Sequence, residues 1–196
     1  PLSLLQRFVP QSRHDTPPRL RAPVALARGL VLESLGRYQE ANAALEQASI
    51  DAELAGDRTL TAQARVALTT VTGDRLANES VGMLWSRLAT SAIDAANLQG
   101  GSLEARLHSN IGLVLEKAER HSEAFERFRH ALSIAAQADS PEPVRSILHN
   151  NFANSLATHG EYDEALSQAQ VAHDRAANSL GGDSVAAVAA IATTAL

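Results

Sequence analysis

Four asparagines and one arginine carry the groups in this chain best suited to holding another polypeptide. Asn110, Asn150, Asn151 and Asn154 fall in segments patterned as helix. Asparagine is a mediocre helix former, because its amide competes for backbone hydrogen bonds. Asn151 and Asn154 are three residues apart and therefore share a helical face. An amide offers one acceptor and two donors, a set that pairs with the C=O and N–H of an extended peptide and reads backbone without reading sequence. Arg106 lies four residues before Asn110, on the same face. Its guanidinium matches a carboxylate bidentately, from a peptide C-terminus or an acidic side chain. The competing readings are asparagines that face solvent or bridge a hairpin, and an arginine in a surface ion pair.

The remaining reactive side chains are less suggestive. His108 and His149 are equivalent under the repeat described below, and two such histidines on adjacent helices raise the question of metal. No carboxylate sits beside them at a metal-like spacing such as H-x-x-x-H, and a shared packing environment accounts for both. His121, His130, His159 and His173 show no convincing partners. No phosphate loop, nucleophile elbow, zinc helix or paired-carboxylate motif is present, so neither a metal, nor a cofactor, nor catalysis is expected. Gly100-Gly101 and Gly181-Gly182 read as turns, since no strand precedes them. Trp85, the lone tryptophan, reads as a core anchor, with a partner-facing hot spot as the alternative.

These residues sit on a repeated framework. Leu107-His108-Ser109-Asn110-Ile111-Gly112 returns as Leu148-His149-Asn150-Asn151-Phe152-Ala153, 41 residues later. Ser122-Glu123-Ala124 answers to Asp163-Glu164-Ala165, and Ala131 to Ala172, at the same offset. Gly36 and Gly160, each followed by an x-Tyr, lie three periods apart. A fixed period of this size marks stacked helical hairpins. First helices are expected at about 24–35, 58–72, 102–119 and 142–158, and second helices at about 38–55, 79–98, 122–138 and 162–179. Glycine supplies the left-handed turn between them, and the tyrosine is expected to pack at that corner. In the second helices small residues recur seven apart: Ala41 and Ala48, Ala124 and Ala131, Ala165 and Ala172. The second hairpin is degenerate. Its small positions are either Gly82 and Ala89 or Trp85 and Ala92.

Composition agrees with an all-α fold. Of 196 residues 45% are hydrophobic and only 4% aromatic, with abundant alanine, the best helix former and a poor strand former. The net charge of −5 argues against a nucleic-acid surface. The absence of cysteine excludes disulfides and thiolate chemistry and fits a cytoplasmic protein. No apolar stretch is long enough to span a bilayer, and no secretory signal is visible. Residues 1–23, with a possible short helix at 2–9 followed by Pro10, Pro17, Pro18 and Pro23, read as an arm or linker. Residues 181–196 read as the first helix of a truncated further repeat, whose apolar face suggests packing on a second copy and so a homodimer. The start at Pro1 suggests a piece of a longer protein.

The hairpin at Gly29, Gly36, Tyr38, Ala41, Leu45 and Ala48 resembles a tetratricopeptide repeat (TPR). So do those at Gly112, Ala124, Phe128 and Ala131, and at Ala153, Gly160, Tyr162, Ala165, Ala169 and Ala172. The usual TPR period is about 34 residues; the longer period here is similar to kinesin-light-chain repeats and to arrays in bacterial regulators. The resemblance implies a right-handed superhelical solenoid of about four repeats, at about 24–56, 57–100, 101–140 and 141–180. Its inner helices would line a concave groove, where Asn110, Asn150, Asn151, Asn154 and Arg106 would contact a protein or peptide partner. The family's carboxylate clamp also uses lysines at matching positions, which are absent. The implied role is non-catalytic: the sensory or scaffolding region of a larger cytoplasmic bacterial signalling protein. The alternative is a dimerisation module controlling an attached cyclase, kinase or DNA-binding domain.

Overall fold

The computed structural model describes residues 16–180; the expected helix at 2–9 and the apolar segment at 183–196 lie outside them. Eight α-helices make up the described residues: α1 (Pro18–Ser34), α2 (Tyr38–Leu54), α3 (Arg58–Thr70), α4 (Glu79–Ala95), α5 (Ser102–Lys117), α6 (His121–Gln137), α7 (Glu142–Thr158) and α8 (Tyr162–Leu180). A π-helical turn, Val71–Arg75, extends α3. Each odd-numbered helix packs on the even-numbered helix that follows it. The fold is all-α, built of the paired helices that compose a TPR-like array. The chain divides into two compact units between Leu98 and Gln99.

Two positions in each second helix define the packing. Tyr38, Glu79, His121 and Tyr162 open these helices. Three residues in stand Ala41, Gly82, Ala124 and Ala165, and seven further Ala48, Ala89, Ala131 and Ala172, all buried. The degenerate hairpin therefore takes the Gly82/Ala89 register. Trp85 instead packs, partly buried, against a core of Leu32, Ala41, Leu45, Leu68 and Val71 in the first unit. In the second unit Phe128 stacks on Phe152 at 5.7 Å between ring centres, and Ala105, Ala131, Ile134 and Leu148 form an adjoining core.

The turns repeat as faithfully as the helices. Gly36, Ala77, Glu119 and Gly160 occupy one equivalent position, with φ of 72°, 52°, 61° and 80°. The amide following the left-handed residue closes a Schellman cap at three of them, Arg37 to Leu32, Arg120 to Leu115 and Glu161 to Leu156, while Asn78 reaches one residue further, to Thr72, across the π-helical turn. Glycine satisfies the left-handed position without strain at two turns. Ala77 and Glu119 accept it at a cost of roughly 1–2 kcal/mol each.

Two expectations need correction. The N-terminal arm was expected to reach residue 23, yet α1 begins at Pro18 and carries Pro23 inside it. Pro18 sits where the amide has no helical partner in any case, and proline's fixed φ suits a helix start. Arg21 then anchors the start by donating from Nη1 to the Thr16 carbonyl at 2.8 Å. Tyr162 does not pack into the corner: it is 69% exposed. The turn after Gly160 closes through backbone hydrogen bonds and leaves the ring over solvent.

Candidate interaction face of the second unit

In the second unit α5 and α7 are neighbours joined by polar contacts between their side chains. Asn151 Nδ2 donates to Ser109 Oγ at 3.1 Å, and Ser155 Oγ donates to Glu116 Oε2 at 2.6 Å. Leu107, Ile111, Val114 and Leu115 of α5, and Leu148, Phe152 and Leu156 of α7, are buried. Burial of these positions leaves a complementary stripe of each helix toward water. On α5 it carries Arg106 and Lys117, both exposed, with Asn110 and Leu113 half-buried. On α7 it carries Asn154 and Ile147, both exposed, with Asn150 half-buried. Arg106 and Lys117 make no hydrogen bond or ion pair among the described residues.

The five residues singled out from sequence thus have different surroundings. Arg106 and Asn154 face solvent. Asn110 and Asn150 are half-covered and have partners of their own. Asn151 departs from a free peptide clamp: one of its two N–H donors is committed to Ser109, so it bridges two helices, the competing reading of the asparagines. Lys117, eleven residues after Arg106 and three helical turns along the same face, was missed. Its spacing was the available signal.

His108 and His149 keep their equivalence in three dimensions. Each contacts the residue nineteen positions later: His108 Nδ1 lies 3.4 Å from Arg127 Nη1, and His149 Nδ1 lies 2.7 Å from Gln168 Oε1. Burial pulls the His108 pKa down to about 4, helped by the positive charges of His130 and Arg127. Burial also lowers His149, against the opposing hydrogen bond to Gln168. His108 meets His130 edge-on at 4.4 Å between ring centres. His130, His121 and His159 therefore do have partners. Glu116, His121 and His159 converge at the turn end of α5, α6 and α7, a grouping that sequence reasoning overlooked. His159 and Ala118 hold the same C-cap position in successive repeats, so the period itself places His159 beside the α5–α6 turn that carries Glu116 and His121.

No helix among the described residues is long and apolar enough to cross a membrane. Residues 103–178 match the family model of the tetratricopeptide repeat. No curated protein matches the chain. The matched segment covers α5 to α7 and most of α8, and α1 to α4 repeat its helix pairs, its buried small residues and its left-handed turns. The matched segment, residues 103–178, therefore belongs to the tetratricopeptide-repeat superfamily, whose repeats serve in general as protein-interaction and scaffold modules.

Proposed function

We propose that the solvent-facing stripes of α5 and α7 bind an extended, acidic peptide segment of a protein partner. The observation that carries this reading is the pair of uncommitted cations, Arg106 and Lys117, flanking a row of side-chain amides on two packed helices. In this reading Arg106 and Lys117 take carboxylates, while Asn110, Asn150 and Asn154 hydrogen-bond the peptide backbone. Asn151 has a positioning part, holding α7 against α5 through Ser109. Ile147 and Leu113 supply apolar contact between the polar groups. The chain's net negative charge makes a local basic pair selective, because an acidic segment is repelled elsewhere on the surface. Similarity to long-period arrays of bacterial regulators supports a cytoplasmic sensory or scaffolding role within a larger signalling protein.

Peptides selected from a displayed random library on the immobilised chain provide the probe. Selected peptides should be enriched in Asp and Glu, and the Arg106→Glu/Asn154→Ala variant should bind them at least about tenfold more weakly, about 1.4 kcal/mol. Unchanged affinity in that variant, with its helical circular dichroism intact, rules out this face.

A further inference from the structure

The geometry points to a divalent transition-metal site, of the kind zinc fills, formed by Glu116, His121 and His159. The three residues come from the end of α5, the start of α6 and the C-cap of α7. One ligand atom from each lies within 4.8 Å of the other two. His121 Nδ1 is 3.4 Å from Glu116 Oε1, and His159 Nε2 is in direct contact with that same oxygen. Metal–nitrogen and metal–oxygen bonds to zinc run about 2.0–2.2 Å, which makes a tetrahedral edge about 3.3–3.5 Å. The His121–Glu116 separation has that length. Admitting the ion between Glu116 and His159 takes a small rotation of the carboxylate.

Three further features suit an ion better than a simple hydrogen-bonded cluster. His121 Nδ1 is buried and has no hydrogen-bond partner, an arrangement that is costly for a polar atom unless something satisfies it. The two imidazole rings lie 3.8 Å apart, close enough for both to converge on one cation. Glu116 is oriented from behind: Ser155, itself 4% exposed, donates to Oε2 and leaves Oε1 turned toward the histidines. Such an outer hydrogen bond to a ligating carboxylate is the usual support of a metal site. The donor set, two imidazoles and one carboxylate, selects zinc-like ions over calcium or magnesium. Side-chain exposures of 20% for Glu116, 39% for His121 and 24% for His159 leave the fourth position open to water or to a donor from a bound partner. Bound there, the ion staples three successive helices at one end of the second unit.

Titration of the full chain, stripped with chelator, with Zn²⁺ and with Co²⁺ tests the site. The wild type should take up one equivalent of either ion, with the visible absorption of four-coordinate Co²⁺ and a rise in melting temperature. His121→Gln and His159→Gln should each weaken binding at least about 100-fold, and Ser155→Ala about tenfold. His108→Gln/His149→Gln should leave it unchanged. Absence of a Co²⁺ spectrum and of a thermal shift at tenfold excess over the wild type overturns the assignment. So does binding that survives in the His121→Gln/His159→Gln double variant. Should His159→Gln fail to fold, Glu116→Gln carries the same comparison, read by the Co²⁺ spectrum.

Discussion

Asp51 is the most deeply buried charge of the first unit, with no exposed surface at all. A lone carboxylate there would be severely destabilising, so its partners decide whether α2 can pack on α1. Arg21 Nε donates to Oδ1 at 3.2 Å and to Oδ2 at 3.1 Å, and Gln47 Nε2 donates to Oδ2 at 3.1 Å. The Arg21 hydrogen bonds, foremost, hold the Asp51 carboxyl below its ordinary range. Arg21→Met should cost about 2–4 kcal/mol in urea unfolding, because it strands the carboxylate with Gln47 alone. Arg37→Met, which breaks the exposed pair with Glu40 at 2.6 Å, should cost no more than about 0.5 kcal/mol. The Arg21→Met/Asp51→Leu double variant should recover much of the first loss. Equal effects of the two single substitutions would show that burial does not set the strength of this pair.

At the scale of helices, the backbone approach at Gly82 joins α4 to the π-helical end of α3. A Cβ built on Gly82 falls 2.4 Å from Gly73 Cα and 2.8 Å from Gly73 N. The obstacle is backbone, which cannot rotate aside, so Gly82→Ala must push the two helices apart. A loss of about 2–3 kcal/mol is expected in thermal or urea unfolding. Gly112→Ala meets the Phe128 ring at 2.8 Å, and a ring can shift, so its cost should be smaller. The reverse order would place the tight contact elsewhere. The same pair of helices shows where the sequence was hard to read. Alanines spaced seven apart and the glycines at 36 and 160 announced three of the four hairpins. The second hid its register because a π-helical turn brings Gly73 to Gly82, whereas in the first and third a late glycine, Gly29 or Gly112, faces the side chain of Leu45 or Phe128. Its left-handed turn falls on Ala77, and the next on Glu119, residues that give no turn signal. On the candidate face the sequence located the asparagines and Arg106 but not the Asn151–Ser109 bridge, since that contact depends on how two helices are rotated. Glu116, His121 and His159 escaped for the same reason: helices α5, α6 and α7 had to be packed before the three could be seen together.

Over the whole molecule the titrating groups fall unevenly, and this sets how the protein responds to acid. Among the described residues every histidine lies beyond residue 98, in the second unit, whereas the buried carboxylate Asp51 belongs to the first. His108 is held neutral, with its pKa lowered from 6.5 to about 4. Between those values the unfolded chain binds a proton that the folded chain refuses, so stability falls as pH drops from about 6.5 to about 4 and then levels. Asp51 acts in a lower window. Its folded pKa lies below the ordinary 3.8, so its contribution is complete above that value and is lost as pH falls through the folded one. The two windows adjoin, and stability should decline from near neutral pH into strong acid without an intervening plateau. Urea midpoints measured from pH 7.5 down to 3 should follow that course, and His108→Gln should flatten the upper part. About 1–2 kcal/mol is expected to vanish from the slope between pH 7 and 5, allowing for solvent screening at a half-buried ring. His149, lowered in the same direction by burial, would leave a smaller residual slope, which the His108→Gln/His149→Gln variant should remove. If the upper slope persists undiminished in that double variant, the burial of these two histidines does not govern the acid response.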